Sequence, residues 1–186
     1  MTETAAPTEA QRYVGTGVGR KEDPALLTGQ ARFVDDLTLP GMVWVALVRS
    51  PYAHARITSV DVTRARETPG VVAAFSGADL ADDWAGPLPM AWPVTEEINN
   101  PPHWPLAKDK ARFAGDGVAV VVAESRALAK DAAQLVDVEY EPLPVVTDIE
   151  AAMADDAPLV HDEFGTNRCY TWALEGPEPG AVDRVF

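Results

Sequence analysis

Apolar side chains along this chain gather in short runs set apart by glycine and proline, and the shape of each run predicts an element. After the turn signal Pro40-Gly41, residues Met42 to Val48 are apolar on both alternating faces, the pattern of a central strand covered on two sides. Ile57 to Val62 predicts a second strand, which leads into a helical turn, Thr63-Arg64-Ala65-Arg66-Glu67, capped by Thr63 and stopped before Pro69-Gly70. Val71 to Phe75 resumes as a strand. Val118 to Glu124 follows the turn Gly115-Asp116-Gly117 as another fully apolar strand, and Ser125 caps a helix to about Val136. In that helix Leu128, Ala132, Leu135 and Val136 form one stripe. Val136, Val138 and Tyr140 then alternate with Asp137, Glu139 and Glu141, as in a half-exposed strand. Strand, helix and strand in succession predict a crossover unit, and Asp148 to Ala154 reads as a short helix capped by Asp148.

Between 82 and 105 the periodicity vanishes, because Pro87, Pro89, Pro93, Pro101, Pro102 and Pro105 remove backbone donors and forbid a regular ladder. The same stretch carries Trp84, Trp92 and Trp104, which predicts a long excursion lying on another surface, as a core cover, a channel wall or a subunit contact. Residues 1–12 hold too few large apolar side chains to be fixed by a core, so order is expected from about Tyr13. Gly15, Gly17 and Gly19 make a flexible entry, and Pro24 opens a short helix or turn anchored by Leu26, Leu27 and Phe33. Gly176-Pro177-Glu178-Pro179-Gly180 marks a boundary. Beyond it Val182, Val185 and Phe186 have the spacing of a helix start without a C-cap, so the chain reads as cut within a helix. The fold class is α+β, a mixed α/β arrangement of short segregated strands and few helices. Its parts are a flexible tail at 1–12, one domain at 13–165, and a linker with the start of a further domain at 166–186.

Charge narrows the partners. The net charge of −14 repels phosphate backbones and anionic membranes, and the first sixty residues, with six acidic and six basic side chains, are neutral, so the excess falls later. The lone cysteine, Cys169, can form no internal disulfide and no cysteine-rich metal site, which fits a reducing cytoplasm. The N-terminus lacks an apolar signal core, and neither long apolar run could span a bilayer.

No active site emerges from residue chemistry. Gly15-x-Gly17-x-Gly19 has the wrong spacing and flanks for a dinucleotide loop. His54, His103 and His161 are far apart in sequence, and Cys169 has no neighbouring base. The adjacent pairs Asp35-Asp36, Asp82-Asp83, Glu96-Glu97 and Asp155-Asp156 diverge and form no acid/base dyad, while Asp35 or Asp36 is expected to cap a turn. His54 stands out because Arg49-Ser50-Pro51-Tyr52-Ala53-His54-Ala55-Arg56 is a polar patch between two strands, suited to fixing a strand crossing or meeting a partner. No catalytic, cofactor-binding or metal-ligating residue is assigned. The candidate structural or interface residues are Arg20, Asp35, Asp36, Arg49, Ser50, Pro51, His54, Gly115 and Asp116.

Several blocks in fixed order carry a resemblance: Gly19-Arg20-Lys21-Glu22-Asp23, Leu27-Thr28-Gly29, Phe33-Val34-Asp35-Asp36, Pro40-Gly41, and Val48 through Ile57. Pro69-Gly70-Val71, Ala78-Asp79-Leu80, Gly115 through Val121 and Val138 through Pro144 continue it. Together they resemble the large subunits of the xanthine dehydrogenase, aldehyde oxidase and carbon monoxide dehydrogenase family, over residues 14 to about 160. The resemblance implies the α/β hammerhead domain of a molybdenum hydroxylase. In such enzymes molybdenum sits on molybdopterin cytosine dinucleotide, electrons leave through iron-sulfur and FAD modules, and the cofactor loops and catalytic glutamate lie beyond this domain. The residues here are then an N-terminal scaffold that shapes the substrate channel and subunit contacts, binds no cofactor alone and is inactive alone. Its partners are the rest of the large subunit, the iron-sulfur and FAD subunits and a small-molecule substrate, with no nucleic acid and no membrane span. The carbon monoxide branch is preferred among the substrates. The alternative is a stand-alone binding or assembly module without redox chemistry. Gly115-Asp116-Gly117 departs from the longer Glu or Gln followed by Pro or Ala of relatives, so a family contact at Asp116 is not carried over.

Overall fold

The computed structural model describes residues 14, 15, 17, 19–90, 95, 97–172 and 180. The expected tail at 1–12, Trp92 and the helix start at Val182 to Phe186 lie outside them. The chain divides into two compact units, Met1–Met42 and Val43–Phe186.

In the first unit, Pro24 sits in the first turn of helix α1, Asp23–Leu27, where its missing N–H costs nothing. A single 3-10 turn, Val34–Asp36, follows. Arg20 closes the entry to α1, its backbone N–H donating to Asp23 Oδ2 at 3.0 Å and its Nε to Oδ1 at 3.1 Å. Leu27 and Phe33, expected as anchors, are 87% and 64% exposed within this structure.

The second unit is built on two antiparallel three-stranded sheets. The first orders its strands β1-β5-β3, with β1 at Trp44–Arg49, β3 at Val71–Ser76 and β5 at Gly117–Ala123. The second orders them β4-β2-β6, with β2 at Ala55–Asp61, the short β4 at Lys110–Ala111 and β6 at Asp137–Pro142. Helix α2, Thr63–Arg66, helix α3, Arg126–Ala133, and helix α4, Ile149–Ala152, complete the elements, with a 3-10 turn at Asp162–Phe164.

The apolar run 118–123 forms the centre of the first sheet, where Val118, Ala119, Val121 and Ala123 are fully buried. The equally apolar run 42–48 does not. It forms β1, an edge strand whose burial alternates, with Val45 62% and Leu47 42% exposed, so the expectation of a central strand covered on both sides is corrected. The cause is the set of partners. Among the described residues β1 pairs only with β5, and α3 covers one face of the pair. The expected crossover unit is also corrected. β5 and β6 flank α3 as foreseen but lie in different sheets, so the helix packs on the first sheet while its chain leads on to the second, and β5 and β6 form no parallel pair.

Ser125 caps α3 by accepting from the Leu128 N–H, and Asp148 caps α4 by accepting from Ala151. Helix α2 has Val62 at its N-cap and no side-chain cap; Asp61, one residue earlier, accepts at Oδ1 from the Thr63 N–H at 2.9 Å, and Thr63, expected as the cap, is the first helical residue. Helix α3 stops at Ala133, three residues short of Val136, yet Leu135 and Val136 still join the core. That core gathers Ala74, Ala119 and Val121 of the first sheet, Val60 and Val138 of the second, and Val62, Ala65 and Ala132 from the helical segments.

The excursion at 82–105 has no regular strand or helix among its described residues and is pinned at its base. Leu88 N–H donates to His103 O at 2.7 Å, and the rings of Trp84 and Trp104 stack at 5.8 Å. Lys108 Nζ lies 3.5 Å from the centroid of the Trp104 ring, a cation–π contact that closes the same neck.

Candidate functional site

The polar patch between β1 and β2 and the turn before β5 meet in one junction. Ser50 is 3% exposed, His54 7% and Asp116 7%, burial that polar groups tolerate only when paired. Ser50 N–H donates to Asp116 O and accepts in return from Gly115 N–H at its own carbonyl, both at 2.8 Å. The Ser50 hydroxyl is spent locally, donating to Tyr52 O and accepting from Tyr52 N–H. Arg49 reaches across the junction to donate from Nη1 to Gly115 O at 2.8 Å. Asp116 closes its own loop, accepting at Oδ2 from Arg112 N–H at 3.1 Å. This turn requires φ of +96° at Gly115, where a side chain would be strained.

His54 ties β2 to the chain beyond β6. Its carbonyl accepts from Leu143 N–H at 3.0 Å, and its Nδ1 stands 2.8 Å from Pro144 O. A carbonyl can only accept, so Nδ1 carries the proton, and a neutral ring presents an acceptor at Nε2. That Nε2 is buried with no partner among the described residues. Beside it, Lys110 Nζ donates to Asp162 Oδ2 at 2.7 Å, and this hydrogen bond holds the Asp162 carboxyl below its ordinary range. Tyr140 packs its ring 5.2 Å from that of Tyr52, and burial raises its phenol above the usual value.

Of the residues singled out from sequence, Arg49, Ser50, Pro51, His54, Gly115 and Asp116 belong to this junction, with Pro51 on its exposed turn. Arg20, Asp35 and Asp36 fall in the first unit, where Asp36 Oδ2 accepts from Phe33 N–H at 2.9 Å and Arg20 pairs with Asp23. Lys110, Arg112, Tyr140, Pro144 and Asp162 were missed. Only the alternation around Tyr140 signalled an inward side chain. The others are ordinary residues made partners by long-range folding.

The histidines stay apart: His103 stacks on Phe113, and His161 pairs with Glu163 at 3.2 Å. Among the described residues no group of three or more His, Cys, Asp or Glu is placed to hold a metal ion. No helix among them is long and apolar enough to cross a membrane. A wide cleft of about 680 Å³ lies between Glu97, Asn99, Arg168, Cys169 and Tyr170. The junction thus clamps strands together: the Ser50 hydroxyl and the Asp116 carboxylate bond to backbone and Asp162 to Lys110, while His54 Nε2, Arg112 Nε and the Tyr140 hydroxyl are buried without a partner among the described residues.

Residues 28–144 match the family described as aldehyde oxidase and xanthine dehydrogenase, a/b hammerhead domain. The chain is 42% identical over 166 residues to the carbon monoxide dehydrogenase large chain of Afipia carboxidovorans, covering 87% of this chain and 20% of that one. It is 41% identical over 138 residues to the xanthine dehydrogenase molybdenum-binding subunit of Escherichia coli O157:H7, covering 74% and 18%. The crystal structure of quinoline 2-oxidoreductase from Pseudomonas putida 86 superposes with a TM-score of 0.75 at 46% identity, over 87% of this chain and 20% of that one. The chain therefore spans about a fifth of the length of these relatives.

Proposed function

Because the chain belongs to the aldehyde oxidase and xanthine dehydrogenase hammerhead family, we propose that it is the N-terminal scaffold of a molybdenum-dependent oxidoreductase large subunit. The observation that carries the reading is the asymmetry of coverage: most of this chain aligns with about a fifth of a large subunit. The hammerhead domain then covers 13–165 and residues 166–186 lead into the part that binds the cofactor. The junction residues keep the strands of this scaffold in register, and Arg20, Asp35 and Asp36 hold the turns that precede it. The whole subunit works with iron-sulfur and FAD subunits in the cytoplasm, on a small-molecule substrate.

The described residues do not fit the molybdopterin cytosine dinucleotide itself. A pyrophosphate needs several converging N–H donors or cations. The wide cleft offers one guanidinium, Arg168, against the carboxylate of Glu97, and no junction residue lines it. The scaffold's share in catalysis is accordingly to shape the substrate channel, and the choice of substrate is assigned to the rest of the subunit. Relatives named for carbon monoxide, xanthine and quinoline align with this same domain.

The test is the coding sequence after Phe186 together with metal analysis. We expect the frame to continue into glycine-rich cofactor loops, the full subunit to carry molybdenum and the 186-residue chain to carry none. A stop codon after Phe186, or stoichiometric molybdenum on the short chain, overturns the reading and favours a stand-alone binding module.

A further inference from the structure

The outer face of the first sheet carries two rows of apolar side chains that the described residues leave partly exposed. The registers place Val45 beside Val122 and Val122 beside Ala73, then Leu47 beside Val120 and Val120 beside Phe75. No charged residue interrupts these rows. Val45 is 62% and Leu47 42% exposed, and the four others are only half-buried. On the opposite face, Ala46, Val48, Ala119, Val121 and Ala74 lie under α3 and the core. An antiparallel sheet in water normally presents polar side chains on its open side. The second sheet does so, with Arg56, Ser59, Glu139 and Glu141 outward.

We propose that the outer face of β1-β5-β3 is the docking face for the remainder of the large subunit, so that this sheet is the middle layer of three. The inference rests on the scaffold reading above and names the surface through which the scaffold is held. Three observations favour this occupant. About four fifths of the length of each relative lies outside the aligned region. Wholly apolar rows suit a permanent contact, of the kind made within one subunit, more than an exchangeable one. A second copy of this chain is disfavoured, because each copy carries a net charge of −14 and the rows have no cation to offset the repulsion.

Thiol labelling of the full subunit, read by peptide mass so that other cysteines do not interfere, tests the proposal. Val45→Cys and Leu47→Cys are compared with Thr58→Cys, an exposed position on β2. All three substitutions are made in the full subunit and in the 186-residue chain. In the short chain the three are expected to react at similar rates. In the full subunit Val45→Cys and Leu47→Cys should slow by about tenfold or more relative to Thr58→Cys, since a covered side chain reacts only when its cover opens. Equal labelling in a full subunit that still carries molybdenum overturns this inference and leaves the scaffold reading standing. Protection that appears only when the other subunits are added, or that grows with concentration of the short chain, also overturns it, assigning the face to those subunits or to a second copy. A reading frame that ends at Phe186 defeats the scaffold reading, and this inference with it.

Discussion

The two sheets of the second unit are held by different physics. In β1-β5-β3 nearly every contact is apolar, and the central strand buries Val118, Ala119, Val121 and Ala123 completely. In β4-β2-β6 the cross-strand partners are charged or hydroxylic: Arg56 Nε pairs with Glu141 at 3.3 Å, Ser59 donates to Glu139 at 3.0 Å, and Asp61 stands opposite Asp137. Only its inward positions, such as Val60 and Val138, reach the common core. The first sheet should therefore fail when shape or polarity inside it changes, and the second should respond weakly to single changes and more to pH and salt.

The sharpest test of that contrast sets the two faces of the first sheet against each other. Val121→Asp puts an unpaired carboxylate at a position with no exposure and is expected to cost about 4 kcal/mol or more, abolishing the cooperative thermal transition in circular dichroism. Val45→Asp in the same 186-residue chain should stay within about 0.5 kcal/mol of the parent. Comparable losses from both would mean that β1 is covered within this chain. Next in size is Gly77→Ala, at the end of β3. Its Cβ would come 2.3 Å from the Ala107 carbonyl oxygen, a backbone atom that cannot swing away. A loss of about 1–3 kcal/mol by thermal denaturation is expected, and a neutral result would show that the segment at 106–107 shifts freely.

Periodicity made the positions of β1, β2, β3, β5, β6 and the capped helices legible in the sequence, because each carries its own local pattern and turn. It could not rank β1 below β5. Both are unbroken apolar runs, and whether such a run is central depends on which strands pair with it, a long-range fact. The same limit hid the separation of β5 and β6 into different sheets. At the junction, Ser50 and His54 were visible as polar residues between apolar strands, and Gly115-Asp116 as a turn. Lys110, Arg112 and Asp162 were not, since a lysine between Asp109 and Ala111 looks like any solvated residue until Asp162 is brought to it from 52 residues away.

The junction joins the two sheets, and its response should fall between theirs. Asp116→Ala removes the acceptor of the Arg112 N–H at a site 7% exposed, for an expected loss of about 1–3 kcal/mol in denaturant unfolding. A loss below the noise would show that water replaces the carboxylate and that the junction is not sealed. Farther out on the second sheet, Arg56→Ala breaks an ion pair whose side chains are 55% and 62% exposed. The change should be about 0.5 kcal/mol or less and should fade in high salt.

The smallest effect is the most specific to charge. The Lys110 hydrogen bond lowers the Asp162 carboxyl below its ordinary value of 3.8, so the folded chain holds the ionised form more tightly than the unfolded chain does. A lowered carboxylate contributes stability that is fully present above its unfolded value and is lost as pH falls through the folded one. Asp162→Asn removes that titration. The Tm difference between the parent and Asp162→Asn is therefore expected to be constant well above pH 3.8 and to shrink as pH is lowered beneath it. Because 69% of the Asp162 side chain is exposed, the gap should be small even at neutral pH. Lys110, with 9% of its side chain exposed, can still donate to the amide oxygen that Asp162→Asn leaves in place. A gap that does not change with pH would mean that the carboxylate acts through shape alone, and the second sheet's margin would then rest on packing as the first sheet's does.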